Sequence, residues 1–117
     1  MDLTVALERR DPAVVVTVAG EIDLSNASSL EHQLLGALQD AGALVVDLHG
    51  VAYLDSSALA CLHRIFLVSD DRGVPMRVVT GGNGVSQRLL AMTGLDQVLP
   101  TSDSIDDAMR SLDAPRL

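Results

Sequence analysis

Lysine and tryptophan are absent from this chain, and cysteine, phenylalanine and tyrosine occur once each. A lone cysteine excludes an internal disulfide framework and leaves nothing from which to assemble a cysteine-rich metal site. With a single Phe and a single Tyr, the core has to be aliphatic, drawn from the Val, Leu, Ile and Ala that dominate a 48% hydrophobic composition. Without lysine, positive charge rests on eight arginines against sixteen acids, a formal net charge of −8. That balance argues against direct nucleic-acid binding, which needs a concentrated positive face. Long apolar runs are missing too. No stretch approaches the roughly 18 uninterrupted apolar residues of a membrane span. Met1-Asp2-Leu3-Thr4 offers no basic region leading into an apolar one, so the expectation is a cytoplasmic protein without a secretory leader.

What is present fits one compact domain, since 117 residues leave no room for two independent cores. Leu3, Val5 and Leu7 alternate with more polar neighbours, Asp11-Pro12 signals a turn, and Val14–Val18 is β-branched. The pair reads as an antiparallel hairpin whose first strand lies at a sheet edge. From Ser25 to Gly42 the period changes, with Ala27, Leu30, Leu34, Leu38 and Ala41 on one helical face. Ser25 or Ser28 is the candidate cap and Gly42 the candidate stop. Ala43–Leu48 is apolar without alternation, as expected of a strand buried on both faces of a parallel sheet. A loop of about six residues then leads to a helix over 56–71 with Ala58, Leu59, Leu62, Ile65 and Phe66 available to the core. Val74–Val79 reads as a strand, Gly81-Gly82-Asn83-Gly84 as a loop, and a short helix runs through Met92 with Gly94 as its C-cap. A brief strand around Gln97–Leu99 and a helix from Asp103 to Leu112 complete a β-β-α-β-α-β-α-β-α order. The expected fold is a single small α/β domain over residues 3–112, a mixed, mostly parallel sheet flanked by about four helices with right-handed crossovers.

Chemistry concentrates around Asp55-Ser56-Ser57-Ala58, where a helix opens beyond the carboxyl end of a buried strand. Helix starts there present free amides and a favourable dipole end. One reading is a cap supplied by Asp55 or Ser56, which leaves Ser57 in the first turn without a structural task. A serine nucleophile would need a base from His32, His49 or His63. The glycines of a nucleophile elbow are missing around Ser57, His63 falls on another side of the helix, and nothing in the sequence positions His49. A hydrolytic triad is therefore not expected, and Cys61 reads as a small core residue. The glycine-rich 81–84 loop precedes a helix, but it matches neither nucleotide fingerprint. Gly20-Glu21-Ile22-Asp23 admits two readings, a turn with a helix cap or an acidic contact surface.

Val18-Ala19-Gly20-Glu21-Ile22-Asp23, Leu44-Val45-Val46-Asp47-Leu48 and Leu54-Asp55-Ser56-Ser57-Ala58-Leu59, in this order, resemble the STAS domain family, and more narrowly the bacterial anti-sigma factor antagonists. Arg88–Leu95 is similar to the family's third-helix ending. The resemblance implies a non-enzymatic protein with a phosphorylatable hydroxyl residue at Ser57, and a partner-binding surface of Asp23, Asp55, Ser56, Ser57 and Ala58. It implies that the unmodified form binds an anti-sigma factor serine kinase and releases the sigma factor. Phosphorylation ends the binding, and a PP2C-type phosphatase restores it. ATP and magnesium belong to the kinase; this chain needs no cofactor. A STAS-like scaffold or accessory subunit of a stressosome or lipid-transport complex is the alternative. Two departures from the family pattern stand out. Ala58 replaces a common glycine, adding a methyl beside Ser57 that could narrow the fit to a kinase, and the 81–84 loop replaces a segment that often contains proline.

Overall fold

The computed structural model describes residues 2–82 and 84–113. Asn83 of the glycine-rich loop lies outside the described residues. Five strands form one sheet: β1 (Leu3–Arg10), β2 (Ala13–Ile22), β3 (Ala43–Leu54), β4 (Met76–Val79) and β5 (Thr101–Ser102), in spatial order β1-β2-β3-β4-β5. β1 is an edge strand antiparallel to β2, and the remaining neighbours pair in parallel. The helices are α1 (Ala27–Leu38), α2 (Ser56–Asp71), α3 (Val85–Thr93) and α4 (Ile105–Asp113).

The central strands are buried on both faces, as their unbroken apolar runs require. Val14, Val16 and Val18 of β2 and Leu44, Val46 and Leu48 of β3 face the main core, which α1, α2 and α3 close with Leu30, Leu34, Leu62, Ile65 and Leu90. Ala13 and Val15, with Ala43 and Val45, face the other way, under Ala108 and the flanking Ile105, Met109 and Leu112 of α4. Cys61 has no exposed surface, and burial pushes its thiol up to about 11.

Four local readings need correction. β3 does not stop at Leu48. It continues to Leu54, because Val51 and Leu54 remain buried and pair onward with Gly20 and Ile22 of β2. The six-residue loop expected there is strand, and Gly20-Glu21-Ile22 is likewise the end of β2. Two register shifts, between Thr17 and Ala19 and between Gly20 and Glu21, accommodate one extra β3 residue each, the first between Asp47 and Gly50 and the second between Val51 and Tyr53, as bulges. Gly20 takes a φ of +103°, and a Cβ there would meet the Asp2 carbonyl oxygen at 2.1 Å, so only glycine fits. α1 begins at Ala27 with Asn26 at the cap position, not Ser25 or Ser28, and it ends at Leu38 before Gly42. Leu95–Gln97 is a turn of 3-10 helix, and the brief strand falls at Thr101–Ser102 beside β4. Gly94 does close α3, with a left-handed φ of +79°.

Candidate functional site

β2 and β3 end together. Ile22 pairs with Leu54, and the Asp55 backbone N–H donates to the Ile22 carbonyl at 3.2 Å. The two acids that follow, Asp23 and Asp55, therefore leave adjacent strand ends at the carboxyl edge of the sheet, where α1 and α2 begin. Asp55 is in extended conformation at the cap position of α2. Its Oδ1 accepts from the Ser57 amide at 2.9 Å and the Ala58 amide at 3.1 Å, satisfying two of the free donors of the first turn. Between the two candidates raised by the sequence, Asp55 is the cap. The Ser57 hydroxyl donates to the same Oδ1 at 2.5 Å. This hydroxyl does most to hold the Asp55 carboxyl below the usual carboxylate range; partial desolvation opposes it, and the Ala58, Ser57 and Leu24 amides add to it.

Ser56 is exposed, and Ser57 and Asp55 are partly exposed. Ala58 is fully buried. Its amide belongs to the cap while its methyl packs in the core, so the expectation that it touches a partner or narrows the approach to Ser57 is corrected. Its part is to seat the first turn of α2.

The β2–α1 connection is a tightly bonded turn. The Asp23 carbonyl accepts from the amides of Asn26 at 3.1 Å and Ala27 at 2.9 Å. The Asp23 amide donates to Asn26 Oδ1 at 3.0 Å, and Asn26 Nδ2 donates to the Glu21 carbonyl at 2.9 Å. Asp23 Oδ1 accepts from the Ser25 amide and hydroxyl. Sequence reasoning passed over Asn26, although Asn ranks with Ser as a turn and cap former. It also passed over Leu24, which is 81% exposed at the tip of this turn. An apolar residue set among Asp, Ser and Asn in a connection was the available signal.

The structure does not bring a histidine to Ser57, whose hydroxyl partner is the Asp55 carboxylate. His49 Nδ1 lies 2.8 Å from both carboxylate oxygens of Asp47, a buried acid on the α4 face of the sheet, and no histidine hydrogen-bonds Ser57. A cavity of about 530 Å³ opens beside that pair, lined by Arg10, Thr80, Gly81, Asp103 and Asp106 among others. The glycine-rich loop thus borders three carboxylates, counting Asp47, which is an unsuitable cradle for phosphate. Among the described residues no cluster of His, Cys, Asp and Glu is arranged to hold a metal ion, and no helix is long and apolar enough to cross a membrane.

The model of the STAS domain matches residues 4–108. The chain is 29% identical to the anti-sigma-F factor antagonist RsfB of Mycobacterium tuberculosis over 119 aligned positions, covering 98% of this chain and 93% of that protein. It is 26% identical to the anti-sigma F factor antagonist of Paenibacillus polymyxa, covering 97% of each. Among solved structures, an anti-sigma factor antagonist from Mycobacterium paratuberculosis superposes with a TM-score of 0.84 at 30% identity, covering 97% of this chain and 96% of the other.

Proposed function

The chain belongs to the STAS domain family, among its anti-sigma factor antagonists, and from that premise we propose that it is a partner-switching protein controlled at Ser57. With Ser57 unmodified it binds an anti-sigma factor that is also a serine kinase, and the sigma factor is released. Transfer of the γ-phosphoryl group of ATP to Ser57 Oγ, with loss of the hydroxyl proton to a base of the kinase and departure of ADP, ends the binding. A PP2C-type phosphatase reverses the modification by hydrolysis. Nucleotide and magnesium are held by the kinase.

The observation that carries this reading is the setting of the Ser57 hydroxyl: partly exposed at the start of α2, donating to the Asp55 carboxylate and hydrogen-bonded to no histidine of the described residues. Such a hydroxyl is a substrate for another protein's catalytic groups. A phosphate there adds about −1.5 to −2 charges at the end of a helix dipole that tolerates them. In a contact that includes Asp23, Asp55 and Ser56, the added charge must be desolvated beside carboxylates of its own chain, a cost of several kcal/mol and hence about a hundredfold or more in affinity.

The test uses the purified chain with each anti-sigma factor kinase of its own genome, in turn, with ATP and magnesium. Mass spectrometry maps the phosphate, and calorimetry measures the affinity of both forms. One phosphate, on Ser57, and a loss of about a hundredfold in affinity are expected. Phosphate on Ser56 would overturn the residue assignment, and equal affinity of the two forms would end the switch.

A further inference from the structure

We infer that Leu24 is the apolar anchor of the partner contact and fits a pocket on the partner protein that is apolar at its base and rimmed by arginine or lysine. The inference rests on the partner-binding reading above and adds the residue and the chemistry that would give the contact its affinity.

Leu24 is 81% exposed, more than any other large hydrophobic side chain among the described residues. Scattered exposed apolar residues are ordinary on a protein surface. Leu24 differs in how it is held and in what surrounds it. The hydrogen bonds among Glu21, Asp23, Ser25, Asn26 and Ala27 fix the backbone on both sides, so the side chain projects from an ordered turn. Docking such a residue sacrifices little beyond its own rotamer freedom, the condition under which a single side chain becomes a binding hot spot.

Its place ties it to Ser57. Ile22 and Leu54 are paired, the Asp55 amide donates to the Ile22 carbonyl, and the Leu24 amide is one of the groups acting on the Asp55 carboxyl. A partner seated on Leu24 is therefore brought against the start of α2. Charge identifies the rim of its pocket. Between Arg10 and Arg64 the chain has seven carboxylates and no arginine or lysine. Glu21, at the end of β2, and Asp23 and Asp55, in the connections that follow β2 and β3, lie near Leu24, and Asp23 Oδ2 takes no hydrogen bond from the described residues. An apolar centre within an acidic rim calls for the complementary arrangement on the partner, with basic side chains reaching carboxylates as the leucine is desolvated. A basic rim by itself would attract a phosphate, so phosphorylation of Ser57 opposes binding through the desolvation of the dianion at the edge of the apolar centre.

The experiment measures affinity of the full chain for the same purified anti-sigma factor kinases, without ATP, for Leu24→Ala, Leu24→Met and Met92→Ala. Met92 is the control, 75% exposed on α3 and outside the proposed contact. Leu24→Ala should weaken binding about tenfold or more, with an unchanged urea midpoint, since the residue is exposed. Leu24→Met, which preserves volume, should stay within about threefold, and Met92→Ala should be neutral. Undiminished binding by Leu24→Ala, beside tight binding by the parent, would overturn the anchor and leave the proposed function standing. An equal loss from Met92→Ala would also overturn it, by showing that no local pocket is involved. A parent chain that binds none of the kinases would refute the functional reading and the anchor with it.

Discussion

Replacing Ala58 with glycine, the residue common in the family at this position, separates what the buried face of α2 does from what its exposed start does. The Ala58 methyl is fully buried, and its amide is bonded to Asp55 at 3.1 Å. Glycine keeps the amide and deletes the methyl. Loss of one buried carbon is worth about 0.8 kcal/mol, and glycine is roughly 0.8–1.0 kcal/mol less favourable than alanine within a helix. The sum, about 1–2 kcal/mol, should lower the urea midpoint by roughly 0.5–1 M at the slopes usual for small domains. Because the deleted atom faces the core, both the affinity for the partner kinase and the rate of Ser57 phosphorylation should stay within about twofold. Urea melts followed by circular dichroism give the first quantity, and calorimetry with a phosphorylation time course gives the others. An unchanged midpoint together with phosphorylation accelerated tenfold would mean that the methyl obstructs the kinase, as the sequence pattern suggested, and that its burial has been misread.

Three further outcomes follow from the same core and cap. Leu62, without exposed surface in the middle of α2, should cost about 2–5 kcal/mol when replaced by Ala, and an unchanged denaturation midpoint would refute its placement. Because the Asp55 carboxyl titrates lower in the folded protein than in the unfolded chain, it contributes stability above its unfolded value that is lost as pH falls through the folded one. Ser57→Ala removes the strongest cause of that lowering, so the difference between urea midpoints at pH 6 and pH 3 should shrink in the variant; a difference as large as the parent's would show that the hydroxyl is not responsible. Cys61, buried and raised to about 11, should resist alkylation at pH 8 in the native protein and react fully in urea, whereas rapid native labelling would contradict its burial.

The features legible in the sequence are those set by long-range periodicity. The apolar spacing through Leu30 and Leu34 and the unbroken run at Ala43–Leu48 identify a helix and a doubly buried strand without reference to anything distant. The misread segments depend on neighbours. His49-Gly50 interrupts an apolar run and reads as a loop, yet β3 takes up one extra residue against β2 between Asp47 and Gly50 and another between Val51 and Tyr53, and so continues to Leu54. No local signal records that compensation. Thr101–Ser102 is a strand only because β4 lies beside it, and nothing in two small polar residues announces it. At the site, Asp55 and Ser57 were legible because a cap and its first turn are local in sequence. Burial of Ala58 and exposure of Leu24 depend on which way each side chain points once α2 and the β2–α1 turn are packed, and periodicity does not reach into turns.

The positive groups at the start of α2 are already engaged, and this decides where a phosphate on Ser57 can act. The Ser57 and Ala58 amides donate to Asp55 Oδ1, so the phosphate would compete with the cap for the donors that could stabilise it. No lysine exists in the chain, and no arginine lies between positions 10 and 64 to draw the phosphate elsewhere. Modification also removes the hydroxyl that Asp55 accepts from and sets two anions side by side. The favourable helix dipole, worth about 0.3–1 kcal/mol at an exposed terminus, is thus opposed by repulsion from the cap, and the folded domain has little to gain or lose. A partner's surface has no such balance: it must exclude water from around the added charge. Under the proposed switch the modification would therefore be read at the contact, while the fold that presents it would stay as it was.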